Sequence, residues 1–153
     1  GKFKVFCQPL YIIYCSGIMR TTVCRRATFN AAHRLFNPAW DEATNNRVFG
    51  LCNNPNYHGH NYTLIVKITG DINPDTGYVM DLKIVNDLIK ELVIEPFDHN
   101  NLNLDVPEFA NLIPTAENIA KVIYDKFRAR LEPQFDIKLE LHETENNAVE
   151  YPA

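Results

Sequence analysis

The spacing of apolar residues changes twice along this chain, from every second residue to every third or fourth and back again, and that order restricts the folds open to it. Tyr62 to Gly70, YTLIVKITG, alternates and is rich in β-branched and aromatic residues, which predicts a half-buried strand. Thr22 to Leu35, TVCRRATFNAAHRL, is compatible with the same alternation, with Val23, Phe29, Ala31 and His33 sharing one parity. Asn37 to Tyr57 has no sustained period and reads as a long loop, and DINPDTGY reads as a tight reversal. Leu82, Val85, Leu88, Ile89 and Leu92 then recur at helical intervals as far as Pro96. Ile119, Val122, Ile123 and Phe127 repeat that stripe behind Thr115, a plausible N-cap. Finally Phe135, Ile137, Leu139 and Leu141 alternate, and AVEY beyond Asn146-Asn147 completes a hairpin. The order of two strands, two helices and two strands predicts an α+β domain, a four-stranded antiparallel sheet with two helices on one face. The open edges of such a sheet favour association with further copies through those edges.

The 153 residues suit one domain, and 46% hydrophobic with 22% charged residues is the composition of a chain that folds. A net charge of -4 without an evident basic patch gives no general attraction to nucleic acid. Cys7, Cys15, Cys24 and Cys52 form no CxxC pair and no dense framework, so a reducing, cytoplasmic setting fits best. Cys7, Cys15 and Cys24 suit buried, inert positions. Residues 1–18 loosely resemble a signal peptide, but Gln8 and Pro9 break the apolar run, no A-x-A site follows, and the run is too short to span a bilayer. The expectation is a leader or extension at 1–18 without assigned function, and a functional domain over 19–153, with Met19 a natural start.

His58-Gly59-His60 opens the second strand, and residues two apart in extended chain point the same way, so both imidazoles can reach one ion. His33 lies on the neighbouring strand. Three neutral imidazoles leave a fourth position on zinc open, the arrangement of catalytic rather than structural sites. Cys52, six residues before His58, has three readings: a fourth ligand, a thiolate base activated by a nearby cation, or an inert buried thiol. Asp98-His99 could orient a basic imidazole, or could be a turn carboxylate beside a surface histidine. Glu143 shares the inward parity of Leu139 and Leu141, so its carboxylate needs a partner, either a basic group or the donors of a ligand. His142 falls on the outward parity and reads as solvated.

FNAAHRL, FGLCNNPNYHGHNY, NPDTGYVMDL, FDHNNLNLDVPEF, PTAENIA and HETENN occur in this order between Val23 and Tyr151. The chain thereby resembles the 6-pyruvoyl-tetrahydropterin synthase family, with its relative 6-carboxy-tetrahydropterin synthase. The resemblance implies the tunnelling fold, in which sheets join into a barrel in trimers that pair as a hexamer. It also implies His33, His58 and His60 as ligands of one zinc ion, and Cys52, Asp98 and His99 as the catalytic group. Glu143 is implied to hold the pterin ring, with Thr115 and Glu117 nearby. The implied substrate is 7,8-dihydroneopterin triphosphate, whose triphosphate magnesium could accompany, and neither a nucleic acid nor a membrane partner is expected.

These parts make a consistent chemistry. Zinc on the side-chain hydroxyls would acidify the neighbouring C–H protons, Cys52 would remove a proton, and Asp98 and His99 would return protons as triphosphate leaves. No GxGxxG run is present, in keeping with an internal redox exchange that needs no nicotinamide. Tyr57 stands where the pyruvoyl enzymes usually carry glycine, so the Cys52–His58 loop is expected to sit differently. The alternatives are the carboxy-forming reaction, which releases acetaldehyde and feeds queuosine-type deazapurines, and a zinc- or pterin-binding protein without turnover.

Overall fold

The computed structural model describes residues 19–153. The expected leader at 1–18, with Cys7 and Cys15, lies outside the described residues. The strands are β1 (Arg20–His33), β2 (His58–Asp71), β3 (Asn100–Asn101), β4 (Asp136–His142) and β5 (Ala148–Tyr151). The sheet order is β3-β1-β2-β4-β5, antiparallel except for β3, which runs parallel to β1 at Ala31 and Ala32. The sheet thus has five strands rather than four. A two-residue strand has no periodic signature, so β3 was not legible as a strand.

One face of the sheet builds the core. Phe29 and Ala31 of β1, Tyr62, Leu64, Val66 and Ile68 of β2, and Ile137, Leu139 and Leu141 of β4 are buried, while the residues between them are more exposed. That is the pleat expressed as period two. The helical side begins with α2 (Leu82–Ile89), N-capped by Asp81, which accepts a hydrogen bond from the Lys83 amide. Its stripe continues through a π-helical stretch (Lys90–Ile94) into the short turn α3 (Glu95–Phe97), so that Val85, Ile89, Val93 and Phe97 are all buried. Thr115 caps the longest helix, α5 (Ala116–Arg128), whose Ile119, Ile123 and Phe127 are fully enclosed. At about 25 cal/mol per Å² of apolar surface, each such side chain contributes roughly 1.5–3 kcal/mol of burial.

The segment from Asn37 to Tyr57 is not a continuous loop. It contains α1 (Glu42–Phe49) and a 3-10 turn over Gly50–Asn53. The helix was hidden because it has no apolar stripe; its buried residue is Asn45. The Asn45 amide group donates to the carbonyls of Asn37, Trp40 and Asp41 and its Oδ1 accepts from the Asn37 amide, so a polar side chain serves as the local core. A short α4 (Leu102–Asp105) follows β3.

Cys24 departs from expectation, since it is exposed. Its parity on β1 is that of Arg26 and Thr28, on the face away from the core. No helix among the described residues is long and apolar enough to cross a membrane.

Candidate functional site

Register is what assembles the site. β1 and β2 pair antiparallel so that His33 lies opposite His58 and Ala31 opposite His60, all on the core-facing side. At the end of the sheet the apolar row of Tyr62, Leu64 and Val66 gives way to imidazoles. One nitrogen from each of His33, His58 and His60 lies within 4.8 Å of the others, a group that could hold a metal ion.

The ring of His33 is fully buried and oriented from behind. Its Nδ1 is 2.8 Å from the carbonyl oxygen of Pro114, which can only accept, so Nδ1 carries the proton and Nε2 is left with a lone pair. That Nε2 is 3.0 Å from Nε2 of His58. Burial first, and then the neighbouring His58 and His60, hold the His33 pKa down at about 4, against the opposing pull of the Pro114 carbonyl. Burial followed by His60 also lowers that of His58. Neutral rings are what a metal ion needs from histidine. Among the described residues His58 Nδ1 is buried without a partner, so one nitrogen of this ring is left unsatisfied by them whichever tautomer it adopts. Converging neutral nitrogens with a fixed tautomer behind them fit a bound cation.

Glu143, just beyond β4, points into the same group. Its Oε1 lies 3.6 Å from His33 Nε2 and 3.8 Å from His60 Nε2. The inward carboxylate therefore faces these rings without a hydrogen bond from His33, whose Nε2 carries no proton, and it stays open to the donors of a ligand. It also lines a cavity of about 380 Å³ together with Leu35, Thr115, Glu117 and Asn147. A larger cavity of about 780 Å³, on the outer face, includes both His60 and Glu143. His142 lies on that outer face and is half-buried rather than freely solvated, its Nε2 2.7 Å from Glu140.

Cys52 occupies the 3-10 turn, half-buried, with its carbonyl accepting from the Leu35 amide at 2.8 Å. Burial and then the Glu143 carboxylate push its thiol above the ordinary value, as expected for a sulfur near that carboxylate.

The structure does not bring Asp98 and His99 to this group. His99 has a φ of 61°, and that left-handed backbone turns its ring back onto its neighbour, with Nδ1–H donating to Asp98 Oδ2 at 2.8 Å. The other carboxylate oxygen of Asp98 accepts from the Asn30 amide at 2.7 Å, and this bond chiefly lowers the Asp98 pKa, opposed by burial and then aided by the His99 contact. The His99 side chain is 79% exposed and borders a surface hollow with Asn30, Ala32 and Gly59 rather than with the three imidazoles. Tyr57 also has positive φ, 65°, so this tyrosine adopts a backbone that glycine takes freely.

Sequence reasoning missed the Pro114 carbonyl, the buried Asn53 and the role of Tyr62 beneath the cluster. The Tyr62 hydroxyl is 3.4 Å from His33 Nδ1 and its ring stacks on Phe29. The asparagine-rich composition of the loop is the one signal that could have pointed to Asn53; nothing local marks Pro114.

Fold and site together define a class: an α+β protein whose largely antiparallel sheet, covered on one face by helices, ends in a three-histidine group that could hold a metal ion. A family model described as 6-pyruvoyl tetrahydropterin synthase matches residues 22–153. The human protein named 6-pyruvoyl tetrahydrobiopterin synthase is 43% identical over 129 residues, which are 84% of this chain and 89% of that protein. The Drosophila melanogaster protein of the same name is 41% identical over 128 residues, 83% of this chain and 76% of the relative. The solved structure of Caenorhabditis elegans 6-pyruvoyl tetrahydropterin synthase superposes with a TM-score of 0.83 at 33% identity, covering 89% of this chain and 97% of that one. The chain belongs to the 6-pyruvoyl tetrahydropterin synthase family, and the fold agrees with the expected tunnelling fold.

Proposed function

We propose that residues 19–153 form a zinc-dependent synthase domain that converts 7,8-dihydroneopterin triphosphate to 6-pyruvoyl-tetrahydropterin with loss of triphosphate. The observation that carries this reading is the convergence of three imidazoles beside one carboxylate whose charge also acts on the Cys52 thiol. His33, His58 and His60 would hold the zinc. When bound, the ion would supply Lewis acidity to the substrate's side-chain hydroxyls.

The chain's own groups do the rest. Glu143, with Thr115 and Glu117 in the adjoining cavity, would accept hydrogen bonds from the amino and N–H groups of the pterin ring and fix its position. Cys52 would accept a proton from the side-chain carbon. Its thiol stands above its ordinary value in the bare chain, so a neighbouring cation is what would make the thiolate accessible near neutrality. The Asp98–His99 pair would relay and return protons, with Asp98 orienting the ring. That pair lies off the histidine group of its own chain, so a neighbouring chain would have to supply it. The outer edge of β1 is paired by β3 only at Ala31 and Ala32, and β5 is the other edge. These edges support closure of sheets into a barrel and a homohexamer of paired trimers. Magnesium with the triphosphate and a cytoplasmic setting complete the reading.

Product analysis by mass spectrometry tests it, with zinc-loaded protein and Cys52→Ala incubated with 7,8-dihydroneopterin triphosphate. The pyruvoyl pterin, absent from the Cys52→Ala reaction, is the expected outcome. Carboxy-pterin with acetaldehyde would move the chain to the deazapurine branch. No conversion by either protein despite bound zinc would make it a binding protein.

A further inference from the structure

The one large apolar residue of the turn that carries Cys52 does not anchor it. Leu51 is 93% exposed, and Gly50 before it has a φ of 55°. The polar residue on the other side is the anchor, since Asn53 is 1% exposed. Nε of Arg34 donates to the Asn53 backbone carbonyl at 2.8 Å and to its Oδ1 at 3.1 Å, while Asn53 Nδ2 donates to Oδ1 of Asn46 at 2.7 Å. The Leu35 amide takes the carbonyl of Cys52 itself.

Arg34 is in turn fixed from three sides. Its backbone amide donates to Asn103 Oδ1 at 2.8 Å, its carbonyl accepts from Asn103 Nδ2 at 3.0 Å, and its guanidinium lies 4.5 Å above the Phe36 ring. The Asn103 amide thus replaces the strand partner that β1 lacks beyond His33. Arg34 directly follows His33, whose place is set by sheet register and by the Pro114 carbonyl. A single residue therefore couples the turn bearing the thiol to the strand end bearing a histidine of the metal-binding group.

We propose that Arg34 is a positioning residue that, through Asn53, sets the place of the Cys52 thiol relative to the histidine group. This rests on the reading of Cys52 as the proton acceptor. Lysine does not reproduce this arrangement, because its nitrogen lies one bond farther along the side chain than arginine Nε and it lacks the planar guanidinium that lies over Phe36. Reacting groups tolerate little displacement, and an error of about 1 Å can lower a rate about a hundredfold.

The test compares zinc-loaded wild type, Arg34→Lys and Asn46→Ala by steady-state kinetics with 7,8-dihydroneopterin triphosphate. In parallel, the alkylation rate of Cys52 by iodoacetamide is followed on its own peptide by mass spectrometry, so that the other thiols do not contribute. Arg34→Lys is expected to lower kcat about tenfold or more with KM within about threefold, and to change the Cys52 alkylation rate at least about threefold at full zinc loading. A purely structural role would lower the melting temperature and the zinc content but leave both rates per zinc-loaded chain unchanged. Asn46 is exposed, and its loss removes only the far side of the clamp, so Asn46→Ala should shift both rates in the same direction by about two- to fivefold. Should Arg34→Lys not fold, Asn46→Ala carries the test. Wild-type kcat and alkylation rate in the variants that fold would overturn the proposal. Cys52→Ala runs beside them: if it turns over normally, the proton-acceptor reading fails, and the alkylation rates alone decide whether Arg34 positions the thiol.

Discussion

The histidine group and the Asp98–His99 pair are both built from imidazoles, yet they are held in opposite ways. His33, His58 and His60 stand on two long strands in continuous register, and His33 is enclosed and oriented by a backbone carbonyl 81 residues away in sequence. Asp98 and His99 sit where a helix ends and a two-residue strand begins, with His99 largely exposed. A group embedded in a sheet is complete within its chain; one at an edge is fixed locally and open to a partner. The core end has the fixed geometry that holding an ion needs, while under the proposed function the edge pair would be completed by a neighbouring chain.

The comparison can be broken first at the metal group. His58→Ala should abolish stoichiometric zinc and with it turnover, since removing one of three nitrogens leaves two ligands. Metal analysis of the purified protein checks this, and a variant retaining one zinc per chain would remove the three-histidine reading.

Next in size, Cys52→Ala should keep zinc and lower kcat by about 10²–10⁴-fold, the contribution of a positioned general base. His99→Ala should also keep zinc while losing turnover. Mixing refolded subunits of the two variants should then recover part of the activity, because a shared site would receive an intact thiol from one chain and an intact pair from another. Recovery absent from a mixed hexamer would mean that each chain completes its own site.

A smaller effect concerns acid stability. Asp98 has a lowered pKa in the folded chain, chiefly through the Asn30 amide. A depressed carboxylate contributes stability that is fully present above its unfolded value of about 3.9 and is lost as pH falls through the folded value beneath it. Asp98→Asn should therefore flatten the decline of the melting midpoint below about pH 4 while leaving neutral turnover reduced. An unchanged acid limb would show that the carboxylate adds nothing to folding.

The smallest expected change is at Tyr57. Replacing it with glycine would relieve roughly 1–2 kcal/mol of left-handed strain and add about 0.5–1 kcal/mol of unfolded-state entropy, so the net change in stability should stay within about 1–2 kcal/mol. Chemical denaturation measures it. A larger loss would mean that the tyrosine ring holds the loop.

Much of the fold was legible because the pleat imposes a period of two and the helix one of 3.6. The parity that placed Glu143 with Leu139 and Leu141 aims its carboxylate at His33 and His60 in the structure. Thr115 caps its helix as the residue pattern predicts. The helix α1 was not legible, since its buried residue is an asparagine, and Cys24 was misread because the apolar character of a thiol was weighed above its parity, which sets it opposite Val23 and Phe29.

What the sequence determined by itself is the succession of the long strands and helices and the parity on which His33, His58, His60 and Glu143 fall, because these follow from local periodicity. The tertiary structure decided what could not be local. It set His33 opposite His58, bound its ring to Pro114, added β3 to the edge of β1, turned His99 onto Asp98, and tied Arg34 to the turn of Cys52. Each of these joins groups through a specific backbone geometry or a hydrogen bond whose partner no residue period encodes, and each depends on the packed sheet to bring that partner within reach.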